Sequence, residues 1–193
     1  MNLHFVVPGF SKCGTTTLCA LLAEHPAIFL PKVKEPGFFS VRSDRGWDNY
    51  AGLFAKAQPG QLCCEGSTTY SSAEFAAVAR DRLLARFPDL KFIFIARNPI
   101  RRIESSFREL HHNGHKWGVL PPLSLGETLR TCPNMIADTR YGRLFEIYRQ
   151  RVPASRLLAL VLEDFEQNPA RELPSTLTPP GNIIPPVSGD QQS

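Results

Sequence analysis

Gly9, Lys12, Gly14 and the run Thr15-Thr16-Thr17 are residue types that bind an anion when a helix starts among them. Glycines let backbone N–H groups approach a phosphate closely, a lysine supplies charge, and the helix adds the positive end of its dipole. The spacing Gly9-x4-Gly14 fits a phosphate-binding loop (P-loop), yet the usual lysine after the second glycine is Thr15. The lysine at hand is Lys12, inside the loop. A second constellation is Arg97-Asn98-Pro99, with Ser105 two helical turns on. A Mg-nucleotide enzyme normally ends a second strand on an acid that holds the metal. Here the best strand candidate ends on Arg97, which suits an extra phosphate and counts against ATP or GTP. The adjoining Arg101 and Arg102 read as a solvated basic face.

These residues need elements to position them. Leu3 to Val7 is an apolar run that reads as a buried strand, broken at Pro8-Gly9 and followed by a helix from Thr15 to Glu24 with Leu18, Leu21 and Leu22 in phase. Ala27 to Pro31 is a brief second strand candidate. Trp47, Tyr50, Leu53 and Phe54 predict a short amphipathic helix over Asp48 to Ala57. A strand starts at Leu62-Cys63-Cys64 and runs into a small-residue loop, Glu65 to Tyr70. Ser72 is a candidate cap for a helix from Ala73 to Phe87. Leu90 to Ala96, apolar at almost every position, is the pattern of a strand buried on both faces. Pro99 suits the first turn of a helix reaching about His112. Beyond the Leu120-Pro121-Pro122-Leu123 linker, helices are expected from Ser124 to Arg130 and from Tyr141 to Val152. A last strand spans Arg156 to Leu162, followed by a short acidic turn. Strands alternating with helices predict a three-layer α/β fold with a mainly parallel central sheet flanked by helices.

Composition sets wider bounds. A chain of 193 residues, 42% hydrophobic and 21% charged, suits one domain with a sizeable core. That domain is expected over residues 1–172, and the proline-rich stretch 173–193 is expected to have no packed structure. The net charge of +4 fits an anionic ligand but is too small to indicate nucleic acid. No apolar run approaches a membrane span and no leader pattern precedes the first strand, so a cytoplasmic location is expected. The 5 cysteines cannot all pair and form no C-x-x-C, so they read as small apolar filler in a reducing compartment. His111, His112 and His115, close to Lys116, read as a mobile polar loop rather than a metal group.

The segment Lys12-Cys13-Gly14-Thr15-Thr16-Thr17-Leu18 resembles the K-x-G-T-T-x-L loop of sulfotransferases that use 3′-phosphoadenosine 5′-phosphosulfate (PAPS). Arg97-Asn98-Pro99 with Ser105 is similar to their R-[DN]-P-x5-S segment. Lys34-Glu35-Pro36-Gly37-Phe38-Phe39 resembles the K-E-x-x-F-F element of the heparan-sulfate-type (Golgi-type) branch. Gly46 to Tyr50 and Glu163 to Pro169 resemble its G-x-x-W-Y and E-D-[LF]-x-x-[ND]-P segments. These matches occur in order from about Leu3 to Pro169.

The resemblance implies sulfuryl transfer from PAPS, leaving 3′,5′-ADP (PAP), to a hydroxyl or amine of a carbohydrate, lipid or small metabolite. No divalent metal is expected. Ser11, Lys12, Cys13, Gly14, Thr15, Thr16 and Thr17 would hold the 5′-phosphosulfate, and Arg97 and Ser105 the 3′-phosphate. Lys12 would offset charge on the leaving oxygen, and Glu35 would act as the base, with burial beside Phe38 and Phe39 raising its pKa. Glu65 is the rival base. Two departures stand out: Gly66 replaces a lysine common in that branch, and proline-rich sequence replaces the usual nucleotide-covering loop. The alternatives are an inactive PAP-binding module of the same fold and an atypical P-loop kinase.

Overall fold

The computed structural model describes residues 1–118, 124–173 and 177. Its strands are β1 (Phe5–Gly9), β2 (Ile28–Phe29), β3 (Leu62–Gly66), β4 (Lys91–Ala96) and β5 (Leu157–Val161). They pair in the order β2-β3-β1-β4-β5, every pairing parallel. The connections carry α1 (Thr15–Ala23), α2 (Trp47–Gly52), α3 (Ala76–Arg86), α4 (Pro99–Asn113), α5 (Leu125–Thr131), α6 (Asn134–Ala137) and α7 (Tyr141–Arg149), and α8 (Leu162–Gln167) and α9 (Pro169–Glu172) follow β5. Among the described residues no helix is long and apolar enough to cross a membrane.

The apolar run of β4 explains the layering. Phe92 and Phe94 share one face and meet α7, with the Tyr148 ring 5.0 Å from each and the Phe145 ring 5.1 Å from Phe94. Ile93 and Ile95 fall on the opposite face by strand alternation and are buried too. Both faces are therefore covered, as an all-parallel sheet requires. β1 runs past Val7 to Gly9 because the β1–β4 register shifts between Val6 and Gly9. Pro8, which has no N–H to donate, sits within that irregularity rather than in a regular ladder.

Several boundaries differ from the sequence reading, each for a local reason. α3 starts at Ala76, since Ser72 Oγ accepts from Phe75 N at 3.3 Å and the Ala73 N–H is taken by Asp138 Oδ1 at 2.8 Å. α2 is short, and the turns after it hold Phe54 in the core. His111 and His112 belong to the last turn of α4 rather than to a loop. The acidic turn after β5 is the helix α8. Leu173 and Leu177 pack against the core, so packing continues past residue 172. The proline linker at 120–123 and the rest of the proline-rich tail lie outside the described residues.

Parallel strands bring the loops that follow β1, β3 and β4 to one edge of the sheet. A buried hydrogen bond helps set the loop after β3: Tyr148 Oη donates to Tyr70 O at 2.6 Å. Tyr148→Phe leaves that carbonyl unpaired in the core. It should lower stability by about 1–3 kcal/mol, seen as a lower urea midpoint with an unchanged m-value.

Candidate active site

The turn between β1 and α1 is stapled from inside. Cys13 is buried, its N–H donates to Phe10 O at 3.2 Å, and its thiol lies 3.5 Å from Ser11 O and 3.4 Å from Tyr141 Oη. Burial pushes the thiol pKa up, which keeps it protonated. Gly14 has φ +81°, and a Cβ there would lie 2.5 Å from Leu162 Cδ1. Glycine alone fits both constraints. α1 has no side-chain cap, and Leu18 N is bonded to Gly14 O at 3.0 Å. The N–H groups of Thr15 to Thr17 have no acceptor within the helix and are left for a ligand.

This loop forms one wall of a cleft of about 440 Å³, contributing Ser11, Lys12, Gly14, Thr15 and Thr16. Arg97, Ser105 and Glu109 form another wall, and Lys34, Glu35 and Thr68 complete it. Cys13 and Thr17 do not line the cleft: Cys13 faces the core, and Thr17 is exposed on α1. Lys12 Nζ donates to Glu109 Oε2 at 3.0 Å, and Glu109 Oε1 accepts from Asn113 Nδ2 at 2.9 Å. The Lys12 hydrogen bond and charge hold the Glu109 carboxyl below its ordinary pKa. Arg97 has no ion-pair partner among the described residues. Its backbone neighbour is tied on both sides. Asn98 N donates to Glu163 Oε1 at 2.9 Å, and Asn98 Oδ1 caps α4 by accepting from Ile100 N at 3.0 Å and Arg101 N at 3.2 Å.

Glu35 reaches the cleft from the loop between β2 and α2. Its Oε2 accepts from Thr68 Oγ1 at 3.0 Å and its carbonyl from Arg42 Nη1 at 3.1 Å, while the other carboxylate oxygen has no hydrogen-bond partner among the described residues. Among the described residues, the non-glycine positions with positive φ are Lys12 (65°) and Glu35 (53°). Backbone held in this region costs of order 1 kcal/mol or more and concentrates at functional positions. Glu35 is only half-buried, contrary to the expectation that Phe38 and Phe39 enclose it. Those rings pack on Tyr50, with centroids 4.8 Å and 5.2 Å away.

The enclosed carboxylate is Glu65. It is 0% exposed and accepts from Tyr70 Oη at 2.7 Å, Tyr50 Oη at 3.3 Å and Ser67 Oγ at 2.7 Å. Two of these hydroxyls also hold the Glu35 loop: Ser67 Oγ accepts from Gly37 N at 2.9 Å, and Tyr70 Oη from Phe39 N at 3.2 Å. Glu65 does not line the cleft. Its geometry is that of an anchor beneath the loop rather than of a base facing a substrate. At Gly66 a Cβ would lie 2.8 Å from Cys19 Sγ, so a lysine there would require the Cys19 side chain to move.

Sequence reasoning missed two residues. Arg102, read as solvated, is 3% exposed; its Nε donates to Ser11 O at 3.2 Å, Nη1 to Met135 O at 2.6 Å and Nη2 to Asp138 Oδ2 at 3.5 Å. It braces the loop after β1 from beneath, using partners on and beside α6, a helix the periodicity did not reveal. Arg101 is exposed and pairs with Glu104, as expected. Glu109 was legible in principle, because it follows Ser105 by four positions and so shares its helix face. The cysteines are all free, with Cys13, Cys63 and Cys64 buried.

The glycine-bearing turn after β1, the arginine at the end of β4 and the Glu35 carboxylate thus line one cleft at the edge of a parallel α/β sheet. A model described as "Sulfotransferase family" matches residues 47–177, more than half of the chain. The chain belongs to the sulfotransferase family. Over 104 residues it is 32% identical to heparan sulfate glucosamine 3-O-sulfotransferase 6 of Mus musculus and 31% identical to the Homo sapiens protein of that name. Each alignment covers 54% of this chain and 29% of the relative, so the chain spans under a third of the length of the curated relatives it matches. A sulfotransferase from Alicyclobacillus acidocaldarius superimposes with a TM-score of 0.75 at 24% identity, over 89% of this chain and 77% of that one. The sulfotransferase domain from the curacin biosynthetic pathway gives 0.70 at 17%, over 98% and 79%. These two share the fold.

The buried Glu65 has a pH signature. Desolvation pushes its pKa up to about 7 against the hydroxyl hydrogen bonds that lower it, from an ordinary value of 4.5. Between those values the folded chain holds a proton that the unfolded chain has lost. Stability from this group is therefore complete below about pH 4.5 and is lost as pH rises through about 7, by up to about 3 kcal/mol. Glu65→Gln should flatten that part of a stability–pH profile measured by denaturant titration.

Proposed function

We propose that this chain transfers a sulfuryl group from PAPS to a hydroxyl or amine acceptor. The observation that carries the reading is the convergence of Lys12, the unpaired N–H groups opening α1, Arg97, Ser105 and Glu35 on one cleft. The cleft fits such a donor: cations and free N–H groups lie at one end, and Arg97 continues into a shallow depression lined by Asn98, Arg101 and Glu163. When bound, PAPS supplies an activated sulfate whose transfer leaves a phosphate oxygen with growing negative charge.

The chain's own groups then have distinct tasks. The N–H groups of Gly14 to Thr17 orient the 5′-phosphate end without moving during the reaction. Lys12 exchanges its Glu109 contact for the leaving oxygen and offsets charge there. Arg97 and Ser105 hold the 3′-phosphate, which fixes the distance from the nucleotide to Lys12. Glu35, oriented by Thr68, takes the proton from the acceptor through its unpaired oxygen. The names of the relatives support a carbohydrate acceptor, and the small cleft a compact metabolite; a hydroxyl or amine is common to both.

Calorimetric titration checks the donor: 3′,5′-ADP should bind at least about tenfold more tightly than ADP, by way of the Arg97 contact to its 3′-phosphate. Equal affinities, or ATP binding that depends on magnesium, would refute the reading. Lys12→Ala should lower kcat by about 10²–10³ while changing 3′,5′-ADP affinity far less. Glu35→Gln should bind 3′,5′-ADP normally and lose about 10²–10⁴ in kcat, measured with labelled donor against an acceptor panel.

A further inference from the structure

Glu109 is a fixed negative charge among groups that otherwise recruit anions. It is held from both sides, by Lys12 Nζ at 3.0 Å and Asn113 Nδ2 at 2.9 Å, on the same face of α4 as Ser105. The other charged groups lining the cleft are Lys34, Arg97 and Glu35. We propose that Glu109 selects the donor by charge, admitting a nucleotide 5′-phosphosulfate and rejecting the corresponding 5′-diphosphate. This rests on the donor reading above.

The two ligands have nearly the same shape, so steric fit cannot separate them well. Their terminal groups differ in charge. A sulfuryl group carries one negative charge, whereas a terminal phosphoryl group approaches two above a second ionisation near about pH 6. Either group would lie beside Lys12, whose ammonium already faces the Glu109 carboxylate. The extra charge of the phosphoryl group meets a carboxylate anchored by Asn113 and unable to turn away freely. Repulsion between unit charges at side-chain distances, after solvent screening, corresponds to about tenfold in affinity. Arg97 and Ser105 contribute nothing to this choice, because both ligands present them with the same 3′-phosphate. Glu35 adds its own charge on the acceptor side and is shared by both cases.

The test compares binding of PAPS and adenosine 3′-phosphate 5′-diphosphate by calorimetry, without acceptor, in the wild type and in Glu109→Gln and Glu109→Ala. At pH 7.5 the wild type should prefer the phosphosulfate by about tenfold. Both variants should shrink that preference to within about threefold, chiefly by binding the diphosphate more tightly. In the wild type the preference should also shrink at pH 5.5, where the terminal phosphoryl group gains a proton while the Lys12-paired Glu109 stays charged. An unchanged preference in the variants, or a wild-type preference that persists undiminished at pH 5.5, would overturn the selection role while leaving the donor assignment intact. Failure of the wild type to bind 3′,5′-ADP or either ligand would overturn the donor reading and the selection role together.

Discussion

The structure depends on the burial of one carboxylate. Glu65 ends β3 with no exposure to solvent, a placement that would be strongly unfavourable without compensating donors. Three hydroxyls supply them, from Tyr50, Ser67 and Tyr70. The hydroxyls come from two pieces of the surroundings: α2 brings Tyr50, and the turn after β3 brings Ser67 and Tyr70. Because Ser67 and Tyr70 also receive the N–H groups of Gly37 and Phe39, satisfying the carboxylate simultaneously shapes the loop that carries Glu35. The aromatic rings of Phe38, Phe39 and Tyr50 pack above this network and exclude water from it.

A second anchor works on the opposite wall. Arg102 reaches from α4 to the carbonyl of Ser11, and Glu163 reaches from α8 to the N–H of Asn98. Leu162, adjacent to Glu163, lies against Gly14. The segment after β5 therefore touches both the loop after β1 and the residue following Arg97. This gives a physical role to the start of α8: it ties the loop after β1 to the start of α4. The cleft itself remains electrostatically mixed, with Lys12, Lys34 and Arg97 facing Glu35 and Glu109. Such a balance matches the proposed reaction, in which an anionic nucleotide is held and a carboxylate takes up a proton.

Much of this was legible in the chain. The apolar run of β4, the glycines around Lys12 and the Asn98-Pro99 start of α4 are local signals, decided by residues near one another. Cleft membership of Ser11, Lys12, Gly14, Thr15, Thr16, Glu35, Arg97 and Ser105 followed from motif order. Arg102 was misread, and the burial of Glu65 was not legible, because periodicity reports which face is apolar and says nothing of a polar side chain whose partners lie far along the chain. The ends of α2 and α3 were displaced for a similar reason. At the start of α3, distant Asp138 takes the Ala73 N–H and Ser72 caps at Phe75.

The sequence by itself determined the alternation of strands and helices, the glycine-bearing turn after β1 and the arginine at the end of β4. These depend on backbone geometry and on residue type, both written locally. Only the tertiary structure decided that Glu65 is sealed from solvent, which arginine braces the loop, and that Lys12 rests on Glu109. Those outcomes depend on burial and on hydrogen-bond partners separated by tens of residues, so they exist only once the sheet has closed and the loops after β1, β3 and β4 share one edge.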